Sequence, residues 1–85
     1  MQIIHRLTVV SNPTRVFEVG TEIDGREVIE IKNMSLEYED HVHSEYHVLD
    51  EDGELISNVE NAPVIVDWKT IAEDGPVPDN EKMTA

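Results

Sequence analysis

The chain has 85 residues, of which 19 are acidic and six are basic, so its formal net charge is -13. This length allows one small domain, and the lack of cysteine excludes disulfides, thiolate metal sites and cysteine nucleophiles. The charge argues against direct contact with nucleic acid or an anionic membrane, and it favours a cationic partner, which could be a basic protein, a peptide or a metal.

The first third of the chain predicts two strands and a tight hairpin. Alternating apolar residues over positions 3–10 are typical of a strand, which Asn12-Pro13 ends because proline lacks an N–H donor. A second alternating run covers positions 15–23 and is followed by Asp24-Gly25. Asp-Gly between two such runs is a strong hairpin signal, since glycine adopts a positive φ at little cost.

The following positions predict further strands. Over positions 29–38 the apolar residues change parity near Asn33, which indicates a β-bulge or a bend. Alternation resumes over positions 41–49, turn residues occupy 50–53, and shorter runs cover 54–59 and 64–68. We therefore predict an all-β fold, a single small antiparallel meander of five to six strands arranged as a partly open barrel.

Composition divides the chain into a folded part and a tail. We predict a small β-barrel domain over residues 1–69 and a flexible, disordered acidic tail over residues 70–85, where the hydrophobic period ends. No apolar run reaches the roughly 20 residues of a membrane-spanning helix, and positions 1–5 lack the features of a secretory signal. A cytoplasmic location is therefore expected.

The predicted core is small and aliphatic, because aromatic residues make up only 5% of the chain. Such a core only narrowly offsets the conformational entropy that is lost on folding. A homodimer or a bound partner would therefore help to stabilise the fold. The predicted core residues are Ile3, Leu7, Val9, Phe17, Val19, Ile23, Ile29, Ile31, Leu36, Tyr46, Val48, Val64, Val66 and Trp68.

Acidic residues are concentrated in the middle of the chain, where ten of them and no lysine or arginine lie between Lys32 and Lys69. Alternate residues of a strand share a face at a spacing of about 7 Å, so a row of carboxylates could imitate the phosphates of DNA to a basic protein. A solvated face that prevents edge-to-edge aggregation is the alternative. The predicted partner-binding residues are Glu37, Tyr38, Glu39, Asp40, Glu45, Asp50, Glu51, Asp52 and Glu54.

Three histidines, His41, His43 and His47, share one strand parity with Glu45. On a regular strand these side chains project from the same face, where imidazoles can chelate a divalent metal or respond to pH. The opposite parity contains Val42, Tyr46 and Val48, which indicates that the histidines lie on the solvent side. No cofactor is predicted, and a metal site at these three histidines is kept as an alternative.

Catalytic motifs are not recognisable in the sequence. The acidic segment 50–54 is similar to part of a calcium-binding EF-hand loop, but alignment on Gly53 places Val48 and Val59 at the two end ligand positions. No serine or threonine has an evident base and orienting group, and no glycine-rich phosphate loop is present. The sequence therefore predicts a protein that is not an enzyme.

Part of the chain resembles the pattern of SH3-like small barrels. The resemblance extends from Phe17 to Trp68 and depends on a strand entry that contains Gly20, a bent strand after Val28, and Tyr46-His47-Val48 before an Asp-Gly turn. It implies an SH3-like, partly open barrel.

The size, acidity and lack of catalytic motifs are similar to those of small phage-encoded inhibitors, including anti-restriction, anti-CRISPR and glycosylase-inhibitor DNA mimics. This similarity implies an anti-defence protein of a phage or mobile element, which occupies the basic surface of a nucleic-acid-binding protein in the host cytoplasm. Two alternatives stay open: an SH3-like accessory or scaffold domain that binds a partner through an apolar groove, and a metal-binding protein that uses the histidine cluster.

Overall fold

The computed structural model describes residues 1–71, which form short antiparallel strands and no helix. The predicted all-β class is therefore confirmed. Within this part of the chain there is also no helix long and apolar enough to cross a membrane. The strands are β1 (Gln2–Val9), β2 (Arg15–Glu18), β3 (Glu22–Ile23), β4 (Arg26–Glu27), β5 (Glu30–Asn33), β6 (Leu36–Glu37), β7 (Val42–His43), β8 (Glu45–Leu49), β9 (Leu55–Glu60) and β10 (Val64–Thr70).

Two three-stranded sheets and two small hairpins make up the fold. One sheet has the order β10-β1-β2 and the other β5-β8-β9, while β3 pairs with β4 and β6 with β7. The first and last described strands are thus neighbours, and β1 also packs against β5, which joins the two sheets. The described strands do not close into a barrel.

More strands form than the five to six that alternation predicts, because bends divide the longer runs. The run over positions 15–23 is interrupted at Gly20, whose φ is 96°. The change of parity near Asn33 marks a bend, in which the Ser35 N–H donates to Asn33 Oδ1 (3.0 Å). The run over positions 41–49 is interrupted at Ser44, between β7 and β8.

The predicted Asp-Gly hairpin is present as β3 and β4. Glu22 pairs with Glu27 and Ile23 with Arg26, so Asp24 and Gly25 alone form the loop. Both loop residues have positive φ, 53° and 79°. A two-residue loop with this geometry matches the right-handed twist of the strands on either side.

The core lies between the two sheets and is aliphatic apart from one phenylalanine. Leu7 and Val9 of β1 and Val48 of β8 are almost completely buried, as is Val28 in the connection before β5. Partly buried apolar side chains, including Val66 of β10, surround these residues. The complete set of buried apolar residues is Ile4, Leu7, Val9, Phe17, Val28, Ile31, Val48 and Val59.

Several predicted core positions are wrong. Ile29, Leu36 and Trp68 are exposed, whereas the buried residues Val28 and Val59 were not predicted. Ile29 has the parity of the buried Ile31, but it precedes β5, and there the neighbouring Val28 is buried instead. Leu36 belongs to the β6–β7 hairpin, which lies outside the two main sheets. Local alternation cannot indicate that a strand pair has no second layer against it.

A β-bulge in β1 explains why Ile4 is buried in place of the predicted Ile3. Ile4 pairs with Trp68 and Arg6 with Asp67, so His5 has no partner of its own on β10. The extra residue allows Ile4 and Leu7, three positions apart, to face the same side. The His5 carbonyl instead accepts a hydrogen bond from the Val19 N–H (2.9 Å).

The first residue is hydrogen-bonded to the last described residue. The Ile71 N–H donates to the carbonyl of Met1 (2.9 Å), and the Met1 ammonium group donates to the carbonyl of Ile71 (3.3 Å). Strand β10 thus continues to Thr70, past the predicted domain boundary at residue 69. The predicted tail otherwise lies outside the described residues.

Candidate functional site

The predicted acidic surface is divided between the two ends of β8. The hairpin group, Glu37, Glu39 and Asp40, lies on the β6–β7 hairpin, which precedes the first residue of β8. The turn group, Glu51, Asp52 and Glu54, follows the last residue of β8. All six side chains are exposed, as is Tyr38 in the hairpin group's loop.

The two acidic groups are too far apart to form one continuous row. Four steps along β8 from Glu45 to Leu49, at about 3.3 Å each, separate them by more than about 13 Å. This distance is about twice the spacing of about 7 Å between carboxylates on alternate residues of a strand. The exposed carboxylates of the two groups therefore do not form one unbroken row at that spacing, and imitation of DNA by the acidic surface stays a prediction.

Asp50 is not part of the exposed acidic surface, because it is buried and holds the β8–β9 turn together. Its Oδ1 accepts hydrogen bonds from the N–H groups of Asp52 (2.9 Å) and Glu54 (2.8 Å). Its Oδ2 accepts from Arg26 Nε (2.9 Å), and the same guanidinium donates to the carbonyl of Leu55 (3.0 Å). Arg26 thus fastens the β3–β4 hairpin to the acidic turn.

These contacts favour the ionised form of Asp50. The hydrogen bond from the Glu54 N–H lowers the pKa of the carboxyl most, and Arg26 and the Asp52 N–H lower it further, against an opposing effect of burial. Asp50 is therefore assigned to the stability of the turn, and its carboxylate has no oxygen left for a partner.

Glu45 lies between two histidines in a small cluster that joins β7, β8 and β9. His47 Nε2 donates to Glu45 Oε2 (2.6 Å), and His43 Nε2 donates to Glu45 Oε1 (3.1 Å). Glu60 of β9 is the cross-strand partner of Glu45, and its Oε2 lies 3.6 Å from His43 Nε2. The hydrogen bonds from His47 and then His43 lower the pKa of the Glu45 carboxyl.

Only two of the three predicted histidines belong to this cluster. His41 precedes β7, where its ring stacks on Tyr38 with 4.8 Å between ring centroids, and its Nδ1 lies 2.7 Å from Asp40 Oδ1. The interruption at Ser44 ends the alternation on which the prediction depended. His43, Glu45 and Glu60 form the set whose possible ligand atoms all lie within 4.8 Å of one another.

A groove of about 550 Å³ opens between the start of β1, the end of β10 and strand β5 with its flanking residues. Trp68, which was predicted to be in the core, lines this groove and is 55% exposed. Lys32 and Glu30 provide charged groups along β5. The main apolar lining residues are Ile3, Ile29, Ile31, Met34, Trp68 and Ile71.

The two ends of the groove point toward the two acidic groups. Strand β5 forms one side, and its first residue, Glu30, pairs with Leu49, two residues before the turn group begins at Glu51. At the other end Met34 lines the groove and leads within two residues into the β6–β7 hairpin. An apolar surface thus lies between two regions of negative charge.

Sequence reasoning missed Glu60 of the cluster and the position of Trp68. The predicted turn over positions 50–53 indicates that the strands before and after it form a hairpin. Counting residues outward from this turn places the start of β8 opposite the second half of β9, near Glu60. That count gives Asn58 as the partner of Glu45, whereas the structure pairs Leu49 with Leu55 and has a further shift of one residue between Val48 and Leu49, so the count from sequence alone is off by two. The exposure of Trp68 depends on how the two sheets meet, which has no local signal.

Comparison with known proteins gave no match to a protein-family model, to a curated protein or to a solved structure.

Proposed function

We propose that this chain is a non-enzymatic protein-binding module whose groove accepts a partner segment with apolar side chains flanked by lysine or arginine. The observation that supports this most directly is the exposed indole of Trp68 in an apolar groove between two acidic groups. The proposal combines the predicted acidic binding module with its apolar-groove alternative.

The apolar part of the groove supplies the affinity. Tryptophan is among the residues that contribute most to protein interfaces, and burial of the exposed half of its ring stabilises a complex by on the order of 3 kcal/mol. Ile29 and Met34 are also exposed and extend the same surface along β5. A groove with this apolar lining is better suited to binding the apolar side chains of a partner than to a chemical reaction on a substrate.

The charge supplies selectivity and rapid association. A formal charge of -13 attracts a basic partner at long range, and the hairpin and turn groups act at close range. A nucleic-acid-binding protein has the required positive surface. We therefore retain inhibition of such a protein, in the manner of a phage or mobile-element anti-defence protein, as the proposed biological role, with the groove in place of a continuous imitation of DNA.

The single tryptophan of the chain provides the test. Synthetic peptides with two leucines between Lys-Arg pairs are expected to shift Trp68 emission to shorter wavelength, with an affinity that falls as salt is added. Peptides with Glu-Glu pairs at the same positions are expected not to bind. Equal binding of both peptides, or binding of neither, would contradict the proposal.

Variants separate the groove from the rest of the surface. Trp68→Ala is expected to weaken peptide binding at least tenfold, measured by the fluorescence of a dye on the peptide. Ile65→Ala is the matched control, because Ile65 is equally exposed, at 55%, on the other face of β10. An equal loss in both variants would assign the effect to stability and not to the groove.

Two double variants with the same net charge test whether the position of the acidic groups is important. Glu39→Gln combined with Glu51→Gln removes one carboxylate from each acidic group, and it should slow peptide association. Val16→Lys combined with Ile65→Lys gives the same net charge from the outer face of the β10-β1-β2 sheet, where these exposed residues flank Thr8. If both pairs change the association rate equally, only total charge matters, and the acidic groups have no specific role.

A further inference from the structure

We infer that His43, Glu45 and Glu60 form a binding site for one divalent transition-metal ion of the zinc class, with His47 holding the Glu45 carboxylate in position. None of these four side chains lines the groove, although the two sites adjoin, since the Met34 N–H of the groove donates to the carbonyl of Glu45 (2.7 Å). The metal site does not depend on the proposed protein partner. It also differs from the site predicted from sequence, because Glu60 takes the place of His41 and His47 acts through Glu45.

The three ligand atoms all lie within 4.8 Å of one another, and the separations of His43 from the two carboxylates are close to those that a small metal ion requires. His43 Nε2 lies 3.1 Å from Glu45 Oε1 and 3.6 Å from Glu60 Oε2. Zinc bonds of about 2.0–2.2 Å in a tetrahedral arrangement place neighbouring ligand atoms roughly 3.3–3.6 Å apart. Small side-chain rotations therefore suffice to place an ion among the three atoms, and a fourth position stays open to water or another ligand.

The register of the sheet provides an independent argument. Glu45 and Glu60 are directly opposite each other on β8 and β9, and like charges in this position destabilise a strand pair. The side chain of Glu45 is also largely shielded from solvent, at 19% exposure. A divalent cation between the two carboxylates would replace this repulsion with attraction, in a protein whose net charge already favours cations.

His47 restrains the orientation of the carboxylate. Its Nε2 donates to the Glu45 oxygen that faces away from His43, at 2.6 Å. Hydrogen bonds of this kind to a metal ligand fix its orientation and commonly change metal affinity by a factor of about 10–100. His47 is therefore a positioning residue and not a ligand.

Asn61 limits the affinity of the site. Its Oδ1 accepts from the Ser44 N–H (3.1 Å), which turns its Nδ2 toward His43 Nδ1 at 3.3 Å. Metal binding at Nε2 requires a proton on Nδ1, and an amide NH2 cannot accept that proton in a hydrogen bond. Asp at position 61 would accept from both Ser44 and His43, and it tolerates the positive φ of 50° at this residue.

Calorimetric titration of chelator-treated protein with zinc chloride tests the inference. One zinc ion per chain is expected to bind, and His43→Ala and Glu60→Gln should each weaken binding at least tenfold. His41→Ala is the matched control and should bind as the unaltered chain does. Asn61→Asp should tighten binding about tenfold, the size of effect typical of such an outer hydrogen bond.

Specific outcomes would overturn this site. Zinc binding that is absent, that does not saturate at one ion, or that persists in His43→Ala would contradict it, as would a loss of binding in His41→Ala. Circular dichroism of each variant establishes that it is folded. In addition, NMR shifts on zinc addition should centre on His43, Glu45 and Glu60, and shifts centred on the turn group instead would show that zinc binds to surface carboxylates.

Discussion

Asp50 and Arg26 connect two turns that are far apart in sequence. The Asp50 carboxylate accepts two backbone N–H groups of its own turn and the guanidinium of Arg26 from the β3–β4 hairpin. Because these bonds require the ionised form, they lower the pKa of Asp50 in the folded state. The unfolded chain has an ordinary aspartate, with a pKa of about 3.9.

Stability should therefore depend on Asp50 in acid. The contribution of a carboxyl whose folded pKa is lowered is fully present above the unfolded pKa, and it is lost as the pH falls through the folded pKa. We expect Asp50→Asn to be less stable than the unaltered chain at neutral pH, with a difference that shrinks steadily below about pH 4. Urea denaturation at a series of pH values measures this.

A control in the same turn tests whether charge alone is responsible. Asp52→Asn removes one carboxylate two positions away, where the side chain is exposed. It should leave the dependence on acid pH close to that of the unaltered chain. A similar change in both variants would mean that general charge repulsion, and not the Asp50 hydrogen bonds, determines the acid sensitivity.

At the level of single elements, the Asp24-Gly25 loop depends on backbone conformation and not on packing. A Cβ on Gly25 would meet no atom within 4 Å, yet the φ of 79° is one that side chains disfavour. Gly25→Ala is therefore expected to reduce the free energy of unfolding by about 1–2 kcal/mol. Asp24→Asn, which keeps a residue tolerant of positive φ, should change it by less than about 0.5 kcal/mol.

Urea denaturation monitored by Trp68 fluorescence measures both values. A Gly25→Ala variant as stable as the unaltered chain would contradict a strained loop. A large loss in Asp24→Asn would instead indicate that the charge of this aspartate is important.

The turns could be predicted from sequence because their causes are local. Asp24-Gly25 and the segment 50–53 combine residues that favour positive φ with strands on both sides, and both form turns in the structure. The bulge at His5 could not be predicted, because it depends on how β1 aligns with β10. One unpaired residue was enough to exchange Ile3 for Ile4 in the core.

The histidine cluster shows the same limit for the candidate sites. His43, Glu45 and His47 share a strand parity that can be read from the local sequence, and in the structure both histidines are hydrogen-bonded to Glu45. Glu60 and Asn61 join them only through pairing with β9, and His41 leaves because the strand breaks at Ser44. Residues contributed by a neighbouring strand require a register that the sequence does not specify.

For the whole molecule, negative charge opposes folding. Arg6 pairs with Asp67 and Arg26 with Asp50, but a net charge of -13 leaves an excess of repulsion between carboxylates. Salt limits the range of this repulsion to about 10 Å at 0.1 M and to about 3 Å at 1 M. The free energy of unfolding and the Tm should therefore rise as sodium chloride is added, which differential scanning calorimetry measures.

The identity of the salt provides the control for this prediction. Sodium chloride screens charge without strongly changing hydrophobic burial, whereas sulfate also strengthens burial. A rise in Tm with sulfate but none with chloride would show that repulsion between carboxylates is not an important cost in this fold.

The irregular pairing in β1 has a consequence for how the groove can vary. Only the half of β1 after His5 pairs with β2, while the half before it lines the groove opposite β5. Because a bulge bends its strand, the angle at this one position influences the width of the groove. If His5 were removed, Ile4 and Leu7 would lie two positions apart and would still face the same side of a regular strand. Insertion or deletion of a residue at this position can therefore change the width of the groove while the same residues stay in the core.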